Sequence, residues 1–99
     1  MTINKTMDGS KLTIAIEGRL DTSTAPKFQE EFVGAIGSAD EIVLDFAGLA
    51  YVSSAGLRVL LMGQKAAKAK GAEMCVCNVS EEIMEVLDMT GFSDMLTFA

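Results

Sequence analysis

The chain predicts an α/β domain in which helices pack on a small mixed sheet, in the order β-β-α-β-α-β-α-β. Three observations carry this. An N-terminal hairpin signal, Asp8-Gly9, is followed by an alternating apolar segment. Three later stretches with helical features are separated by short apolar runs. Each helical stretch closes at a glycine: Gly37, Gly71 and Gly91. After the hairpin this is a βαβ pattern, whose crossovers are right-handed.

Taken in order, Ile3 to Met7 reads as a short edge strand, and Lys11 to Glu17 as its partner, with Leu12, Ile14 and Ile16 on one face and Gly18 closing it. Thr22-Ser23-Thr24 supplies N-cap candidates, and Pro26 fits a first helical turn. Phe28, Phe32 and Ile36 then recur at helical spacing. Glu41 to Phe46 has no alternation across Ile42 to Leu44, which predicts a central strand covered on both faces. Ala47 to Val52 reads as a loop into a second helix starting near Ser54, with Leu57, Leu60, Leu61 and Ala67 as its inner stripe. Glu73 to Cys77 is the next strand. Ser80 caps a third helix, whose first turn carries Glu81 and Glu82 at the positive end of the dipole. Met95 to Phe98 completes the order as a last strand.

The 99 residues fit one compact domain, 1–99, and 49% apolar content supplies one core. No apolar run reaches the roughly 20 residues that span a bilayer. Met1 to Lys5 lacks the regions of a signal peptide, so a cytoplasmic, monomeric protein is expected. The net charge of -6 repels phosphate backbones and anionic lipid, which argues against nucleic acid and direct membrane binding. Lys65, Lys68 and Lys70 read as a solvated helix end that complements the dipole. Cys75 and Cys77 share one face of a strand. With no other Cys and no His, no zinc site can be completed within the chain, and reduced, metal-free thiols are expected.

Catalytic signatures are missing. There is no phosphate-cradling glycine loop, and no histidine to serve as base to Ser53 or Ser54. Val52 stands where a nucleophile elbow needs Gly. Asp21 and Asp45 read as residues that tie down their loops. The expectation is a binding protein with no cofactor and no enzymatic activity. The seven methionines read as core gap-fillers, with Met62 the exception because it lies off the inner stripe.

The informative stretch runs from Tyr51 to Leu61. Ser54 reads as the N-cap of the second helix. Gly56 in its first turn costs up to ~1 kcal/mol of helix propensity and lets a neighbour approach the helix start closely. Arg58, Met62 and Lys65 share one side at i, i+4 and i+7, away from the leucines. With Ser53, Ser54 and Gly56 they form the expected partner-binding surface.

Three segments carry a resemblance. Gly18-Arg19-Leu20-Asp21-Thr22-Ser23-Thr24-Ala25-Pro26, Ile42-Val43-Leu44-Asp45-Phe46-Ala47-Gly48-Leu49 and Tyr51-Val52-Ser53-Ser54-Ala55-Gly56-Leu57 occur in the order and spacing of the STAS domain family. Within it, the chain resembles the small bacterial anti-sigma factor antagonists. That family's best-studied loop reads Asp-Ser-Ser/Thr-Gly, with its first Ser phosphorylated. Ser53 here replaces the Asp, Ser54 takes the place of the acceptor, Ala55 replaces the second hydroxyl residue, and Gly56 matches. The resemblance implies a STAS domain that binds an anti-sigma factor serine kinase when unmodified, is released on phosphorylation at Ser54, and is reset by a serine phosphatase. It also leaves two alternatives open: a STAS subunit of a membrane lipid-transport or transporter complex, and a nucleotide or small-ligand sensor.

Overall fold

A computed structural model describes residues Met1–Ala99. Strands β1 (Thr2–Asp8) and β2 (Lys11–Leu20) form the N-terminal hairpin. Helix α1 (Ala25–Val33) and a 3-10 turn (Ile36–Ser38) lead into β3 (Glu41–Val52), then α2 (Ser54–Lys70), β4 (Glu73–Cys77), α3 (Glu81–Thr90) and a second 3-10 turn (Phe92–Asp94). The sheet order is β1-β2-β3-β4, with β1 antiparallel to β2 and the other two pairings parallel. The expected mixed sheet and the order through α3 are present. The expected last strand shrinks to a single parallel bridge, Val76 to Phe98. The second 3-10 turn and the burial of Leu96 leave only Thr97 to Ala99 free to reach β4.

Alternate residues of one sheet face, among them Ile14, Ile16, Ile42, Leu44, Phe46 and Val76, join Phe28, Phe32, Leu57, Leu60, Ile83 and Leu87 of the helices in one core. All three helices therefore cover the same face. The expectation that β3 is covered on both sides is corrected: burial alternates along Glu41 to Phe46, and Val43 and Asp45 stay half-exposed. Val43 lies between Thr13 and Cys75 in register, so short neighbours shield it in part without an overlying layer. Cys75 and Cys77 are free and half-exposed on this open face.

Other boundaries move as well. Strand β2 continues through Gly18 to Leu20, and β3 through the expected loop to Val52. The two pair across both extensions, with irregular register between Ala15 and Glu17 and again after Gly18. Helix α1 ends at Gly34, three residues before the expected Gly37. On α2, Val59 and Gly63 are buried, and Leu61, expected inside, is only half-buried. Gly63 is required by close approach, because a Cβ there would lie 2.1 Å from the ring of the fully buried Phe32. Lys70, expected as a solvated helix end, instead donates to the carbonyls of Ile36, Gly37 and Ala39, and so ties the end of α2 to the turn after α1.

Candidate functional site

Strand β3 delivers the chain to the start of α2 with one residue between them. That residue, Ser53, is extended and is the N-cap. Its Oγ accepts from the Gly56 N–H at 3.4 Å, and its own N–H donates to the Leu20 carbonyl at 2.9 Å. The expectation that Ser54 caps the helix is corrected: Ser54 is the first helical residue, because β3 runs to Val52 and leaves the cap to Ser53. Its side chain is exposed, and no hydrogen bond within the chain holds its hydroxyl.

Gly56, expected on the partner surface, is buried. A Cβ there would sit 2.6 Å from Leu20 Cγ and 3.0 Å from Val52 Cγ2. Its close neighbours are the ends of β2 and β3, so the glycine serves the scaffold beneath Ser54. Ser53 is half-buried, and Arg58 and Lys65 are exposed. Met62, half-buried, lies between them along the same side of α2. Ser54 and Arg58, with Leu57, Leu61, Thr90 and Phe92, line a shallow groove of about 330 Å³ between α2 and the end of α3. Met62 and Lys65 lie outside it. The sequence reading missed Leu61, Thr90 and Phe92: Leu61 looked like core, and nothing local joins residues 90 and 92 to α2.

Asp21 and Asp45 each accept a hydrogen bond from the backbone N–H two residues on. Asp21 Oδ1 accepts from the Ser23 Oγ at 2.7 Å, the Ser23 N–H at 3.0 Å and the Thr24 N–H at 3.2 Å. The Ser23 hydroxyl, with the backbone bonds from Thr24 and Ser23, holds the Asp21 carboxyl below its ordinary value against the opposing effect of desolvation. These ties are therefore present at neutral pH and are lost as acid drives the folded carboxyl through its lowered pKa. Asp45 Oδ1 accepts from the Ala47 N–H and from Asn78 Nδ2, both at 3.0 Å. The two carboxylates share no bonding partner. Beside the site, the Arg19 guanidinium lies 4.1 Å from the centroid of the Tyr51 ring, and Tyr51 is exposed.

The sequence profile described as "STAS domain" matches residues 2–99. The chain belongs to the STAS domain family. The anti-sigma F factor antagonist of Paenibacillus polymyxa is 34% identical over 82 residues, which cover 81% of this STAS domain and 70% of that protein. The anti-sigma factor antagonist SpoIIAA in its unphosphorylated form superposes with a TM-score of 0.84 at 19% identity, over 99% of this chain and 88% of that one. A sulfate transporter family protein from Wolinella succinogenes also superposes, with a TM-score of 0.80 at 16% identity, over 95% of this chain and 80% of that one. At such identities the superpositions show the shared fold, which antagonists and a transporter family protein both use. No helix of this STAS domain is long and apolar enough to cross a membrane.

Proposed function

We propose that this STAS domain is an anti-sigma factor antagonist that works by partner switching in the cytoplasm. Unmodified, it binds an anti-sigma factor that is also a serine kinase. Phosphorylation of Ser54 releases it, and a serine phosphatase resets it. The chain supplies the surface, and its partners supply the chemistry. One observation carries the reading. Ser53 does the capping, so the adjacent Ser54 hydroxyl is exposed and unbonded at the start of α2. The names of the related antagonists support the same role.

The physics suits a reversible switch. A phosphate adds about -1.5 to -2 charges at one point. At a helix N-terminus the dipole tolerates that charge, and the scaffold under Ser54 is not asked to move. A partner surface fitted to a neutral hydroxyl meets a desolvated dianion instead. A loss of ~3 kcal/mol weakens binding more than a hundredfold. The proposed partner surface comprises Ser53, Ser54, Arg58, Met62 and Lys65, and Leu61 and Phe92 supply its apolar groove.

The test uses two variants and a purified anti-sigma kinase. Ser54→Ala is expected to stay folded, bind as the wild type does, and resist release by kinase and ATP. Ser54→Asp is expected to stay folded and bind about tenfold more weakly, because one carboxylate imitates a dianion only in part. Phosphate found by mass spectrometry on Ser54→Ala at the wild-type level, with unchanged binding of Ser54→Asp, would remove the proposed site.

A further inference from the structure

At the other end of α2, the outer edge of β4 carries a half-built strand site. Val76 shows how this edge is used. Its N–H donates to the Thr97 carbonyl at 2.8 Å, and its carbonyl accepts from the Ala99 N–H at 2.9 Å. Glu73 points the other way, its N–H donating to the Asp40 carbonyl on the β3 side at 3.0 Å. Backbone groups alternate sides along a parallel strand, so Met74 faces outward with Val76. No backbone partner meets it there, because Thr97 to Ala99 reach only Val76.

The space beside Met74 is the cavity of about 420 Å³ lined by Gln64, Ala67, Lys68, Ala72, Thr97 and the start of β4. Gln64 Oε1 is buried without a hydrogen-bond partner. An unmet buried group of this kind costs about 1–3 kcal/mol. At the mouth, Glu41 and Glu73 are side by side in register, and neither enters an ion pair. Like charges directly opposite one another destabilise a sheet.

We propose that this edge takes an extended, basic peptide segment of a partner protein as an added strand. One residue of such a segment offers a carbonyl to the Met74 N–H and an N–H to the Met74 carbonyl. A hydroxyl- or amide-bearing side chain meets Gln64, and a Lys or Arg relieves Glu41 and Glu73. The C-terminal residues set the precedent by pairing with the same edge one step further on. A second copy of β4 fits less well, because it brings a further Glu73 to an edge that already holds Glu41 and Glu73. The site lies ten residues from Ser54, roughly 15 Å along the helix, and does not depend on phosphorylation.

The test uses the folded 99-residue chain and amide NMR, with two capped probes, Ac-Thr-Lys-Thr-NH2 and Ac-Thr-Glu-Thr-NH2. Without peptide, the Met74 amide is expected to exchange with solvent far faster than that of Val76. The lysine probe is expected to shift the Met74 amide and the Gln64 side-chain amide, and to bind about fivefold or more tightly than the glutamate probe. Gln64→Leu is expected to fold at least as stably as wild type, since it removes an unmet polar group, and to weaken the lysine probe by about fivefold. A Met74 amide as protected as Val76, equal binding of both probes, or unchanged binding to Gln64→Leu each overturns the proposal. So do equal shifts from free lysine, which would mark a small-cation pocket, and concentration-dependent shifts at Met74 without peptide, which would mark self-association.

Discussion

At the N-terminal end of α2, Ser53 caps the helix, Gly56 packs on Leu20 and Val52, and the Ser54 hydroxyl is exposed and unbonded. At the C-terminal end, Lys70 is fully engaged with three carbonyls, yet Gln64 and the edge of β4 hold polar groups that nothing in the chain meets. The buried contacts at the first end do not involve the Ser54 side chain, so a charge added there leaves them in place. The second end is incomplete inside a groove, so it is improved by an occupant. Between the two ends lies the middle of the helix, where Gly63 meets the buried Phe32 ring.

That middle is the place to break the comparison with the largest effect. Gly63→Ala drives a Cβ toward the buried Phe32 ring and is expected to cost about 1–3 kcal/mol, more than the ~1 kcal/mol that alanine gains in helix propensity. Denaturant melts read this directly, and a midpoint at or above wild type would show that α1 and α2 part easily. Arg58→Glu comes next. It reverses an exposed charge beside Ser54 and is expected to weaken anti-sigma binding about tenfold at an unchanged melting temperature. Unchanged affinity in the folded variant would take Arg58 out of the partner surface. The smallest effect sharpens the contrast between the two serines. Ser53→Ala removes a cap bond of 3.4 Å and is expected to cost about 0.5–1 kcal/mol, whereas Ser54→Ala should leave stability nearly unchanged. Equal melting losses for the two would return the capping role to Ser54.

Much of the candidate site was legible in the sequence. Two serines before a small-residue turn and a leucine-rich helix place Ser54 at a helix start, and Arg58, Met62 and Lys65 on one side of it follow from 3.6-residue periodicity. The order of strands and helices through α3 was legible for the same kind of reason. Two of the misreadings concerned which neighbour a residue meets. Gly56 looked like a point of approach for a partner and is filled by Leu20 and Val52. Leu61 looked like core and lies beside Phe92 on a surface groove.

Periodicity, end signals and charge are local properties, so the sequence by itself determined the element order through α3, the burial of Leu12, Ile14 and Ile16, the cap at Ser80, and a helix beginning at the double serine. Which serine caps was decided by pairing, because β3 stays hydrogen-bonded to β2 as far as Val52 and leaves a single residue for the turn. The open face of the sheet, the seat of the Phe32 ring on Gly63 and the unpaired edge at Met74 were likewise decided only by tertiary structure. Each depends on residues brought together from distant parts of the chain, and a periodic pattern records which side of an element is apolar without recording what lies against it.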